Sequence, residues 1–231
     1  MSTVAIELND TGIQVAGEPP LEIEASPGYA LLEGKELQLG VEAQSRARLK
    51  PRWVDNRFWE ALDSSPMPKP FPRALSRADV AHDHLRAVWD NIRQQVESAV
   101  AELLLAVPGS FSLEQLGLIL GIARACELPV TGLVDSAVAA VATRSTGSRI
   151  LYLDATLHGM IWTELSHDDQ LQRRRVEVLE SGGLLAVRDA WAKRIAELLV
   201  RRTRFDPFHH GRAEQTLYDR LPQWMAELTA E

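Results

Sequence analysis

Residues 103–154 read LLLAVPGSFSLEQLGLILGIARACELPVTGLVDSAVAAVATRSTGSRILYLD. The apolar run Leu103–Val107 stops at Pro108-Gly109, the mark of a buried strand closed by a turn. Ser112 stands three residues before Gln115, the spacing of a capping box. Leu113, Leu116, Ile119, Leu120 and Ala123 then recur at helical spacing, which predicts a helix as far as Cys126 with that stripe facing a core. Gly117 and Gly121 lie one turn apart in it. Each costs about 1 kcal/mol against alanine, so a close approach to a sheet is the expected compensation. Pro129 ends the helix, Val130–Val134 predicts a second strand, and small residues from Ser136 onward predict a second helix. Arg149–Asp154 is a third strand, ending on a carboxylate. Strand, helix, strand, helix, strand is the grammar of an α/β fold.

At 231 residues the chain can bury a large core, as one domain or two. Its 45% hydrophobic and 25% charged residues are ordinary for a globular protein. A net charge of −7 argues against a protein that coats nucleic acid, and no nucleic-acid partner is expected. The single cysteine, Cys126, cannot form an internal disulfide; inside an apolar helix it reads as a small buried hydrophobe in a reducing compartment. The N-terminus MSTVAIELND carries no basic leader, and no stretch reaches the ~18–20 apolar residues of a membrane span. The expectation is a cytoplasmic protein with no membrane association.

Outward from the central stretch, Val4–Leu8 and Gly12–Ala16 flank Asn9-Asp10-Thr11 and predict a hairpin. Tyr29–Glu33 and Glu36–Leu39 flank Gly34-Lys35, with glycine first in the turn as a type II′ turn wants. Three to four antiparallel strands are thus expected to open the chain. Gln44–Glu60 interleaves Arg46, Arg48, Lys50, Arg52 and Arg57 with Trp53, Phe58 and Trp59. That composition suits a phosphate or nucleic-acid surface, or a flap whose aromatics pack and whose cations face solvent; the acidic net charge favours the flap. Prolines alternating through 63–73 predict an extended segment. Leu85, Val88, Ile92, Val96, Ala99 and Leu103 predict one long helix over Ser76–Leu104. Beyond Asp154, Gly159–Leu165 and Arg174–Glu180 are expected strands joined at His167-Asp168-Asp169. Gly182-Gly183 breaks the chain, and Leu184–Arg204 is a helix with Trp191, Ile195 and Leu198 inward. Ala213–Leu228 is helical again, interrupted or restarted at Pro222.

With those residues in view, AVPGSFSLEQLGLILGIARACELPVTGLVDSAVAAV resembles a segment of the seventy-kilodalton heat-shock (DnaK-type) chaperones, members of the actin-like ATPase superfamily. VAIELNDTG and LYLDATLHGMIW fall in the places of that family's two phosphate loops. ESGGLLAVRDAWAKRI resembles its Gly-Gly-led helix, and LGVEA its Gly-x-x-Ala stretch. The resemblance implies a ribonuclease-H-like (actin-like ATPase) fold in two halves. The first would span 1–145, with a basic and proline-rich insertion at about 41–75. The second, 146–231, would be incomplete, a β-meander plus helices without the family's adenosine-binding motif. It also implies ATP or ADP with Mg²⁺ between the halves: Asn9, Asp10, Thr11, Gly12, Thr156, His158 and Gly159 along the phosphates, and Glu7, Asp135 and Asp154 holding Mg²⁺ through water. In an active enzyme Asp154 and Asp135 would be catalytic, with Lys50 the nearest lysine.

Phosphate loops need glycines so that backbone N–H groups can approach the anion. Here Asp10 adds negative charge to the first loop, and Leu157 and His158 stand where the family has glycines. Nucleotide binding is therefore expected to be weak or absent, and action through a protein partner or client is favoured. The alternatives are an active ATP-hydrolysing chaperone domain and a two-metal nuclease of ribonuclease-H type built on Glu7 and Asp154. His209-His210 and His82-x-His84 lack the i, i+4 spacing of helical metal ligands and read as surface residues. No reading of oligomeric state emerges.

Overall fold

The computed structural model of the chain describes residues 2–18, 20–72, 74–96, 100–143, 148–167 and 170–229. In chain order, β1 (Ser2–Glu7) and β2 (Gln14–Glu18) make the first hairpin, and β3 (Ala30–Glu33) and β4 (Glu36–Leu39) the second. After α1 (Gly40–Gln44) and β5 (Val54–Asp55) come α2 (Arg77–Gln95), β6 (Val100–Val107), α3 (Leu113–Ala125), β7 (Val130–Asp135) and α4 (Ser136–Val141). The rest is β8 (Arg149–Ala155), β9 (Met160–His167), β10 (Leu171–Leu179), α5 (Leu184–Thr203) and α6 (Gly211–Thr229). The fold is mixed α/β with three sheets, in the orders β2-β1-β6-β7, β4-β3-β5 and β10-β9-β8.

The first sheet carries the main core. β6 lies parallel to β1 in a register that sets Val4 against Leu103 and Ile6 against Leu105. All four are buried, in one cluster with Leu85, Val88 and Ile92 of α2 and Ile119, Ile122 and Ala123 of α3. Period-2 alternation on the strands and 3.6-residue spacing on the helices thus face each other across one layer. Ser76 and Asp79 close a capping box on α2, and Ser112 and Gln115 close the expected one on α3.

The local reading fails in several places for physical reasons. The two hairpins do not share a sheet: β1-β2 joins the parallel strands, while β3-β4 pairs with β5 in the flap. The long helix stops at Gln95, and Leu103, Leu105 and Val107 alternate as a strand; Ala99 lies outside the described residues, as do Asp168, Asp169 and the expected boundary at 145. On α3 the buried face is Ile119, Ile122 and Ala123, while Leu113 and Leu120 are exposed. Gly117 and Gly121 face open space, so no close approach compensates them. On α5 the buried residues are Ala192 and Ala196; Trp191 and Leu198 point out. Helix α6 runs through Pro222 without a break, held by fully buried Leu221 beside Leu217 and Ala192. Gly34 has φ +69°, as the tight turn requires.

The flap aromatics Phe58 and Trp59 are core residues, and three of its cations form ion pairs nearby: Arg46 and Lys50 with Glu33, Arg57 with Glu60. His84 is buried rather than on the surface. Cys126 is a buried free thiol. Among the described residues no helix is long and apolar enough to cross a membrane.

Candidate functional site

Strand β1 ends on Glu7 and β8 carries Asp154 as its next-to-last residue, and each feeds a short loop. The loops Asn9–Gly12 and Thr156–Gly159 meet each other directly. The Asn9 side-chain amide donates to Asp154 Oδ1 at 3.1 Å and to the Ala155 carbonyl at 3.2 Å. Asn9 Oδ1 accepts from the Thr11 amide and hydroxyl, which fixes the Asn9 side chain toward the second loop. Asp10 Oδ1 accepts from the Leu157 amide at 2.7 Å. Within the second loop Thr156 Oγ1 bonds the Gly159 amide and carbonyl, closing a tight turn. A Cβ on Gly183 would lie 2.3 Å from the Gly159 nitrogen, so the Gly-Gly segment is what lets α5 begin against this turn.

The Leu157 side chain is fully buried, with Tyr29 and Leu31 at β3 and Ala43 of α1 around it. His158 turns its Nε2 to the Asn56 carbonyl at 3.0 Å, and Gly12 packs on Ala25. Lys50, in the flap, is tied to Glu33 of β3 at 2.6 Å. Asp135 caps α4 through the Ala137 amide at 2.9 Å and pairs with Arg173 at 2.5 Å; Arg173 also donates to the Gly109 carbonyl. Glu7, Asp135 and Asp154 all act electrostatically on the Tyr152 hydroxyl, whose pKa is raised first by burial and then by these acids. Among the described residues no three His, Cys, Asp or Glu side chains are placed to hold a metal ion.

The Leu157 amide, the kind of donor an anion needs, is engaged by Asp10. Leu157 fills the space between the loops and the flap with hydrocarbon. Burial, opposed by the Leu157 amide, raises the Asp10 pKa to about 6. Burial and neighbouring Glu7 raise Asp154 to about 6 as well. Both groups are anionic above that pH, a field that repels phosphate.

These shifts carry a stability consequence. The folded Asp10 pKa is above its ordinary value of 3.8, so its contribution is fully present below that value and is lost as pH rises through about 6. At about 1.4 kcal/mol per unit, discounted for partial solvent screening, the cost near neutrality is about 2 kcal/mol. Asp10→Asn keeps an acceptor for the Leu157 amide and removes the charge. It is expected to raise stability by about 1–2 kcal/mol near pH 7.5 and to match the parent near pH 4, as read by urea denaturation at the two pH values. Equal stability of the two proteins near pH 7.5 would contradict the assignment.

Two cavities flank the joined loops. One of about 260 Å³ lies between the halves, with Asn9, Asp10, Phe111, Thr156, Ile161 and Val178 in its wall. A larger cleft of about 590 Å³ separates the flap from α5 and α6. Across it Arg48 reaches Asp189 at 3.1 Å and Glu214 at 3.5 Å, with its guanidinium 3.6 Å from the centre of the Tyr218 ring. The Arg48 amide donates to Gln215 Oε1 at 2.8 Å, and the Gln215 amide group reaches the Gln44 carbonyl at 3.2 Å. Burial and a hydrogen bond to Asp189 push the Tyr218 phenol up. Sequence reasoning missed this second bridge. Arg48 was visible only as one of five flap cations, and its partners lie more than 140 residues away. Compared with known proteins, the chain matches no family model, and no curated protein matches it.

Proposed function

We propose that the chain is a DnaK-like, actin-like ATPase framework whose nucleotide site has become a side-chain latch, and that it acts through protein contacts. One observation carries the reading. The two loops that resemble phosphate loops bind each other, through Asp10 to the Leu157 amide and Asn9 to Asp154. Two further features support the framework. Each half opens with an antiparallel pair whose first strand carries an acid, Glu7 or Asp154, at or next to its end and runs into one of these loops. In the first half the parallel strands β6 and β7 then extend the sheet, with α3 between them in sequence. Leu157 and Arg48 make direct contacts between the halves.

Calorimetric titration with Mg·ATP tests this. The expected result is no heat of binding at micromolar nucleotide. Binding in the micromolar range or tighter overturns the reading in favour of an active ATPase, for which turnover abolished by Asp154→Asn would be the next observation.

A further inference from the structure

The sheet β10-β9-β8 has one covered face and one bare one. Ile161, Thr163 and Leu165 of β9 are buried toward the first half. On the opposite face Leu151 pairs across to Glu164 and Leu153 to Trp162, while Met160 pairs with Ala155 and Leu179. Partners in an antiparallel ladder point the same way, so Leu151, Leu153, Met160, Trp162 and Leu179 form one apolar surface. Leu151, Leu153 and Leu179 are 60%, 54% and 51% exposed. The other half of the chain shows what such a face takes. Counting back from Glu7 and Asp154, Val4 and Ile6 of β1 stand where Leu151 and Leu153 stand in β8. They are 1% and 0% exposed, in one cluster with residues of α2 and α3.

The chain also carries an apolar helix face with nothing on it. Val187, Trp191 and Leu198 of α5 are exposed. At about 100° per residue they fall within about 40° of one another, on a side well apart from the buried Ala192 and Ala196, of which Ala192 packs on α6. The stripe is about 16 Å long at 1.5 Å per residue, close to the length of β8 from Leu151 to Ala155. Helix α5 cannot cover its own sheet. Its first turn is fixed by the Leu184 and Leu185 amides donating to Thr156 and Leu157, and its alanine face is taken by α6. Arg194, Arg201 and Arg202 lie beside the stripe. The sheet face carries Glu164 and Glu177, paired with Arg149 and Arg175, and Arg174 bonded to Ser166, so its charges are mixed. The surface area agrees with a missing cover. The chain exposes 13781 Å² at 25.7 kDa, whereas a compact monomer of that mass exposes about 10,400 Å². The excess of about 3,400 Å² exceeds the ~800 Å² per partner that a standard interface buries.

We propose that the bare face of β10-β9-β8 is covered by α5 of a second copy of this chain, in a twofold dimer in which each copy lays α5 on the other's sheet. The contact is reciprocal and self-complementary, as a closed dimer requires. It is independent of the nucleotide reading: the dimer forms or fails to form whether or not Mg·ATP binds.

Sedimentation equilibrium on the full chain from nanomolar to high micromolar concentration tests it, with three arms. The parent protein is expected to dimerise. Leu151→Glu with Leu153→Glu, and separately Trp191→Glu, are each expected to weaken dimerisation roughly tenfold or more. Far-ultraviolet circular dichroism should remain that of the parent, since all three side chains are exposed. An equimolar mixture of the sheet variant and the helix variant is expected to recover association, because the mixed dimer keeps one intact helix-on-sheet contact. A parent that stays monomeric throughout overturns the proposal and leaves the face to a different protein. A dimer insensitive to either variant overturns it, as does a mixture that recovers nothing, the result expected of sheet-on-sheet or helix-on-helix pairing.

Discussion

Leu157→Ala is expected to cost about 3 kcal/mol of folding stability, the middle of the range for emptying a fully buried leucine site. The loss divides into hydrocarbon returned to water and a cavity that neighbours fill only in part. Leu157 has no exposed surface, and its buried neighbours Tyr29, Leu31 and Ala43 all lie in or beside β3 and α1 of the first half. The cavity therefore opens between the two halves. The flap cannot collapse onto it freely, because Arg48 holds the flap to α5 and α6 independently. Leu157→Met, close in volume, is expected to cost less than about 1.5 kcal/mol. Urea denaturation of the three proteins measures both. A loss below about 1 kcal/mol for the alanine variant would mean that Leu157 does not join the halves.

The second large effect lies at His84. Its ring is 1% exposed and bonded at both nitrogens. The Trp59 indole N–H donates to Nδ1 at 3.0 Å, so Nδ1 is the unprotonated nitrogen, and Nε2–H donates to Ser26 Oγ at 2.8 Å. The edge of the ring also meets Phe58, at 5.5 Å between centroids. His84→Ala leaves the buried Trp59 donor without an acceptor and opens a cavity, together about 3 kcal/mol. Burial lowers the His84 pKa from 6.5 to about 4. A histidine shifted down stabilises the fold above its unfolded value, and that contribution is lost as pH falls from 6.5 to about 4. This is the opposite of Asp10, whose contribution is lost as pH rises through about 6. Stability followed between about pH 4 and 7 should therefore fall less steeply toward acid in His84→Ala than in the parent. An identical slope in both would show that His84 is not buried in its neutral form.

Particular residues show what the sequence could and could not reveal. Leu103–Val107 and the Ser112–Gln115 box were legible because each depends on neighbours within one element. The end of α2 was not, since Val96 and Leu103 fit both the helical spacing that precedes them and the alternation that follows. His84 was legible in principle. It stands three residues after Ala81 and four before Val88, both buried, on the inward face of α2. Trp191 and Leu198 fooled a pattern reading that assigns every apolar stripe to the interior, although the stripe that faces the core belongs to Ala192 and Ala196. The loop acids were legible as a pair of strand ends. That Asp10 would bind the Leu157 amide across 147 positions was not, because that contact exists only once both halves are folded.

Hydrogen exchange at the Leu157 amide tests the latch most directly. This amide is held by Asp10 at 2.7 Å, in a buried setting. The account predicts slow exchange, unchanged by millimolar Mg·ATP and accelerated by Asp10→Ala. Fast exchange in the free protein that slows when Mg·ATP is added would mean that the loop waits for phosphate, and would contradict it.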